Sequence, residues 1–220
     1  MRPITASRMS ELEEATAAYE AALTPAAAKY LLGRGLGVEE ATTYRVGVVA
    51  DPFPGHERFT GMLVIPYLDQ DGRPLSLRFR CIEEHDHRKA ASKHGKYMSL
   101  PHEPGRLFNI GAVHRADTEL HITEGEFDAI VLNKVGLHAV AVPGAQSWAP
   151  HFRRVVAGFS KVWVWGDPDE AGSDFVNTIT RDVRNASGVR LSKADGDVTD
   201  LYLAQGAEAI YQRFQRGSGE

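Results

Sequence analysis

A single cysteine, Cys81, among 220 residues rules out an internal disulfide and any zinc ribbon built on paired cysteines. Long apolar runs are absent too, and no stretch approaches the roughly 18–20 residues of a membrane span. The N-terminal MRPITASRMSELEE lacks the apolar core of a signal peptide, so a cytoplasmic protein with no membrane partner is expected. The strong positive charge of a nucleic-acid coat protein is also missing, since the net charge is −4. No repeat or low-complexity tract is visible.

What is present suffices for a real core: 43% of residues are hydrophobic, enough for one large domain or two small ones. Charge is unevenly spread. Residues 73–115 carry nine Lys/Arg against four acids, so the rest of the chain is acidic. A basic stretch feeding an acidic region suits a polyanion held beside carboxylates, although an unevenly charged solvated surface would look the same.

The first region, 1–115, reads as α+β. Ser10 with Glu13 forms a capping box for a first helix, and Thr24-Pro25 starts a second that stops near Gly33 or Gly35. Apolar, β-branched segments at 45–50, 62–67 and 75–81, parted by turns such as DQDGRP, predict strands. Residues 82–95 read as a charged loop. Cys81 just before it, with His85, His87 and His94 inside it, offers one sulfur and three imidazoles in 14 residues. Their spacing matches no common zinc pattern, so histidines scattered in a charged loop are expected.

From about Glu119 strands alternate with helices: LHIT, then EGEFDAIVLNKV; HAVAV, then a helix near 149–158; KVWVW, then a helix over about 171–186; VRL, then a helix near 199–205. This rhythm predicts an α/β domain over 116–206 with a mainly parallel sheet, followed by a short helix or tail at 207–220. Functional groups of such sheets gather at the C-terminal strand ends, where this chain places acids. Glu124 follows the first strand, with Asp128 one turn later; Asp167 and Asp169 follow the third; Asp197 and Asp200 follow the fourth. Any one of these acids suits a helix cap. Several at neighbouring strand ends raise one another's pKa, a cost that Mg²⁺ or Mn²⁺ with oxygen ligands removes. Gly125, Gly144 and Gly172 mark tight turns at the same edge, and Trp148 is expected to pack in the core rather than stack on a base.

The order E-G-x-x-D, V-P-G-A, D-x-D-x-A-G and D-V-T-D resembles the TOPRIM domain of topoisomerases, primases and some nucleases, most closely its primase branch. Upstream, Y-L-L-G-R-G-L at 30–36 and Y-R-V-G at 44–47 resemble the opening of the RNA-polymerase core of bacterial DnaG-type primases. Phe59 with MLVIPYLDQDGRPLSLRFR, and G-K-Y-M-S at 95–99, resemble later motifs of that core. Ser99 stands where the family usually has asparagine, and Phe108-Asn109-Ile110 replaces its L-Y-G-hydrophobic ending.

The resemblance implies synthesis of short RNA primers on single-stranded DNA from ribonucleoside triphosphates, in a bacterial cell, from a bacterial or a phage gene. It makes Glu124, Asp167 and Asp169 catalytic and, with Asp197, ligands of Mg²⁺ or Mn²⁺. Asp128 and Asp200 are possible further acids. Arg80, Lys96 and Arg106 become candidates for nucleotide or template, whereas Arg34 is expected to fix the helical lead-in. The family's cysteine-ligated zinc module and helicase-binding tail have no counterpart in these residues, so a separately encoded helicase or template-recognition partner is expected. A TOPRIM nuclease would share the acids, a non-catalytic nucleic-acid-binding subunit would have lost their use, and nothing supplies a topoisomerase's strand-passage domains.

Overall fold

A computed structural model describes residues 4–85, 87, 94–144 and 146–216. Half of the expected 82–95 loop (86 and 88–93), Ala145 of the V-P-G-A element and the last four residues of the tail lie outside them. The chain forms two compact units, Met1–Pro104 and Gly105–Glu220.

In the first unit, helices α1 (Ala6–Ala21), α2 (Pro25–Gly33) and α3 (Val38–Thr43) precede strands β1 (Gly47–Val48), β2 (Leu63–Leu68), β3 (Pro74–Arg80) and β4 (Tyr97–Ser99). The strands pair antiparallel in the order β1-β2-β3-β4. Thr24 caps α2 by accepting from the Ala27 amide, with Pro25 at the first helical position. α1 starts at Ala6 with Thr5 as cap, not at the expected Ser10 box. Glu13 is drawn elsewhere: with Glu20 it binds the Arg45 guanidinium, at 2.7 and 3.0 Å. The β2–β3 turn is built by Asp69, whose carboxylate accepts from the amides of Asp71 and Arg73, and by Gly72 at φ +81°. Leu12, Ala15 and Tyr19 of α1 cover a core of Phe59, Met62, Val64, Leu77 and Phe79, in which the Phe59 and Phe79 rings stack 3.8 Å apart. The first predicted strand shrinks to two residues, and β4, unforeseen, is three half-buried residues held by pairing with β3.

The second unit begins with α4 (Gly111–Arg115) and then alternates: β5 (Glu119–Thr123), α5 (Glu126–Lys134), β6 (Ala139–Ala141), α6 (Pro150–Val156), β7 (Lys161–Trp165), α7 (Glu170–Asp182), β8 (Ala186–Val189), α8 (Val198–Gln205) and α9 (Ala207–Arg216). Residues 105–115 pack here and not with the first region, because Leu107 and Ala112 belong to the core beneath β5–β7. The strands are all parallel, in the order β6-β5-β7-β8. Their apolar faces (Leu120, Ile122, Val140, Val162, Val164) bury Phe152 and Val156 of α6 and Phe175 and Ile179 of α7. β8 is ASGV, not the expected VRL. Gly188 lets Val176 of α7 lie against the edge strand, where an added Cβ would come within 2.4 Å of it. Among the described residues no helix is long and apolar enough to cross a membrane.

Candidate active site

The strand order fixes where the site lies. β5 leads through α5 to β6 on one side, while its neighbour β7 leads through α7 to β8 on the other. Connections that diverge from adjacent parallel strands leave a crevice beyond their C-terminal ends. Thr123 and Trp165 stand in register, so Glu124 and Asp167 emerge at this crevice.

Their surroundings are anionic. The Asp167 amide donates to the Glu124 carboxylate at 3.3 Å. Burial, then the charges of Asp167 and Asp169, push the Glu124 carboxyl up to about 7. Asp128 is buried; its carboxylate accepts from the Thr199 amide (3.0 Å) and hydroxyl (2.7 Å). Desolvation foremost, with Asp197 and Asp167 beside it, raises its carboxyl as well. Glu124, Asp128, Asp167, Asp169 and Asp197 thus form one field of mutually repelling carboxylates.

The backbone holds this field together by tight local geometry. Asp169 caps α7, accepting from the Gly172 amide at 2.8 Å, and Asp197 caps α8, accepting from the Asp200 amide at 2.7 Å. Capping and a charged site therefore coexist in the same residues, each cap occupying one carboxylate oxygen. Gly172 lets α7 crowd the Asp167 loop: a Cβ there would fall 2.1 Å from the Asp167 carbonyl oxygen. A polar groove of about 650 Å³ runs from Asp167 along α7 to Arg190 beyond β8.

Several other residues take defined places. Asp195, beside the site in sequence, is committed elsewhere: Arg213 of α9 lies 2.5 Å away and holds its carboxyl well below the usual range. Asp200 is exposed. Trp148 packs against Phe152 and donates to Asp182, as a structural residue would. Asn109, in the segment that departs from the primase ending, has a φ of +57° that asparagine tolerates; its side-chain amide donates to the Ala139 carbonyl.

The basic candidates differ among themselves. Arg80 is only 4% exposed: its guanidinium donates to the Tyr30 hydroxyl at 2.8 Å and lies 4.6 Å from the Tyr97 ring centroid. This candidate for nucleotide or template phosphates is thus an internal residue in the structure. Lys96 is exposed, and Arg34 and Arg106 are half-buried. Ser99 accepts from Arg78 through its hydroxyl and from Arg58 through its carbonyl.

No family profile matches the sequence. The gene 57 protein of Mycobacterium phage D29 is 34% identical over 159 residues, which make up 70% of this chain and 99% of that protein. Among solved structures, the Aquifex aeolicus primase (zinc-binding and RNA polymerase domains) superposes with a TM-score of 0.78 at 20% identity, covering 97% of this chain. The chain spans 62% of that structure's length. The RNA polymerase domain of Mycobacterium tuberculosis primase DnaG gives 0.76 at 20% identity, covering 96% of this chain and 84% of that one. A DnaG primase catalytic domain bound to single-stranded DNA gives 0.72 at 20% identity, covering 94% and 78%.

Proposed function

Since the chain belongs to the family of the mycobacteriophage D29 gene 57 protein and has the fold of DnaG primase catalytic cores, we propose that it is a primase-type nucleotidyltransferase that builds RNA primers on single-stranded DNA. The observation that carries this reading is the carboxylate field at the β5/β7 crevice, centred on a Glu124 whose carboxyl is pushed up to about 7. Its residues belong to the E-G-x-x-D and D-x-D-x-A-G segments that resemble primase motifs, which supports the reading.

The donor set fits a hard divalent cation. It is all oxygen, it is crowded enough to repel itself, and the cap on α7 engages only one carboxylate oxygen of Asp169. Glu124, Asp167 and Asp169 would hold Mg²⁺ or Mn²⁺, with Asp197 as an outer ligand. When bound, such ions activate the primer 3′-hydroxyl and neutralise charge on the α-phosphate and the departing pyrophosphate. The chain's own groups do the rest. Glu124 would serve either as a ligand of the cation or as the acceptor of the 3′-hydroxyl proton. Asp128, locked to Thr199, ties the α8 cap to α5 and so positions Asp197. The first turns of α5 and α7 bring helix N-termini to an edge where triphosphate oxygens are to lie. Exposed Lys96 and half-buried Arg106 supply charge for triphosphate or template phosphates, and Arg80 supports the strand that carries Tyr97.

The test is incorporation of labelled ribonucleotides on a single-stranded template with Mg²⁺. Primer synthesis that Asp167→Asn abolishes supports the reading. Template cleavage without incorporation would instead make the protein a nuclease, and neither activity would leave a binding subunit.

A further inference from the structure

The connection from β3 to β4 in the first unit gathers donors of another chemistry. Cys81, immediately after β3, and His85, His87 and His94 bring one thiol sulfur and three imidazole nitrogens within 4.8 Å of one another. The rings crowd: their centroids lie 4.1 Å (His85–His87), 5.1 Å (His85–His94) and 5.6 Å (His87–His94) apart. Histidines scattered through a charged loop, as the spacing led us to expect, would not converge on one buried cysteine.

We infer that Cys81, His85, His87 and His94 form a closed structural zinc site that clips the β3–β4 connection. Tetrahedral zinc, with bonds of ~2.0–2.3 Å, sets neighbouring donors roughly 3.3–3.7 Å apart. Reaching that spacing from 4.8 Å requires each side chain to move less than about 1 Å, within ordinary rotamer adjustment. A thiolate with three imidazoles is a borderline-soft set that suits Zn²⁺ and not the Mg²⁺ or Mn²⁺ of an all-oxygen site. Four protein donors leave no position for water or substrate, which makes the site structural.

Two details of the surroundings point the same way. The Glu83 carboxylate lies 3.6 Å from His85 Nδ1, and the Gly95 carbonyl lies 3.2 Å from His94 Nδ1. Rings that ligate through Nε2 would therefore keep an oxygen acceptor beside the other nitrogen, the arrangement that fixes tautomer and orientation in zinc sites. Cys81 itself is anchored, its amide donating to the Lys96 carbonyl at 2.9 Å. Ligands on both sides of that bond would close the connection at its base and hold β4 in register with β3. Binding displaces the Cys81 thiol proton to solvent, so affinity falls as pH falls.

This inference does not rest on the primase reading, and neither does its test. The full chain is produced in zinc-supplemented medium, desalted, and its metal content measured by plasma mass spectrometry. One zinc per chain is expected, and Co²⁺ reconstitution should give a thiolate-to-cobalt charge-transfer band with the intense d–d bands of tetrahedral cobalt. Cys81→Ser should remove the charge-transfer band. Because Cys81 is buried and its replacement risks the fold, the His85→Asn/His94→Asn pair is the second variant, expected to weaken zinc affinity about a hundredfold or more. Asp167→Asn/Asp169→Asn should keep its zinc. A chain that retains no stoichiometric metal, retains a different one, or binds zinc undiminished in the histidine variant would overturn the assignment.

Discussion

In the second unit the candidate ligands are carboxylates at strand ends and helix caps, with Glu124 and Asp128 both raised by burial and by like charge. In the first they are a thiol and imidazoles on one strand connection, within 4.8 Å of one another. The difference lies in what the fold is asked to do. The carboxylates are held together against their repulsion by the sheet register and two capped helices, so the scaffold exists first and a cation would relieve it. The Cys/His set lies on a strand connection, with Cys81 anchored at the end of β3 by its backbone bond to Lys96, so there the ion would organise the connection. The first arrangement suits exchangeable ions that take part in a reaction, and the second a resident ion that shapes a surface.

The largest expected effect tests the carboxylate half of this contrast. Asp167→Asn and Asp169→Asn should each lower nucleotide incorporation by about a hundredfold or more. Asparagine preserves the cap that Asp169 gives to α7, so far-UV circular dichroism and the thermal midpoint should hardly change. A variant that keeps its fold and most of its activity would show that the carboxylates serve only as caps.

Next in size is an acid-sensitive element inside the same unit. His121 of β5 is buried, and its Nδ1 accepts from Trp165 Nε1 at 2.9 Å while its ring lies against Phe214. Burial, with nearby His138 adding to it, pushes the imidazole down to about 3 from an ordinary 6.5. Between those values the unfolded chain binds a proton that the folded chain refuses, so stability rises with pH across the window and is lost as pH falls below about 6.5. At about pH 4 the loss should approach 3 kcal/mol at most. Denaturant titrations of wild type and His121→Gln should therefore diverge on acidification. Parallel pH profiles would mean that the ring is protonated in place.

How far the site was legible follows from the same contrast. KVWVW and LHIT are strands by composition, and once their alternation with helices implied a parallel sheet, the strand-end rule brought Glu124, Asp167 and Asp169 together without coordinates. Where tertiary packing decides, the pattern misled. β8 uses ASGV because α7 needs a residue without Cβ at Gly188, although VRL has the better strand composition. Glu13 looked like half of a capping box but serves Arg45. Arg80 was a candidate for nucleotide or template phosphates, and nothing local in the sequence announces its packing against Tyr30 and Tyr97. The Cys/His cluster was illegible for a related reason: its donors meet through the path of a connection that has no periodicity to read.

Arg80 gives the third prediction. Its removal deletes the hydrogen bond to the Tyr30 hydroxyl and leaves a gap beside Tyr97, so Arg80→Ala should destabilise the first unit by about 2–3 kcal/mol. Lys96→Ala, at an exposed position, should cost less than about 0.5 kcal/mol and lower template affinity instead. Filter binding to single-stranded DNA alongside denaturation separates the two roles. If Arg80→Ala leaves stability intact and affects binding alone, the buried placement of its guanidinium is not what matters.

The smallest effect concerns Asp197, where capping and charge meet in one side chain. Its carboxylate accepts from the Asp200 amide to cap α8, and α8 also presents Thr199 to Asp128. Asp197→Asn retains a capping oxygen and removes the charge; Asp197→Ala removes both. The cap is worth about 1 kcal/mol, so the thermal midpoint should fall for alanine and stay near wild type for asparagine. An outer ligand contributes less than Asp167 or Asp169, and its loss should lower nucleotide incorporation about tenfold in both variants. Equal activity losses with unequal stability losses would place the charge, and not the helix start, at the reaction. If activity instead tracks stability, falling for alanine and recovering with asparagine, Asp197 acts only by fixing α8, and the carboxylates that take part in the chemistry reduce to those following β5 and β7.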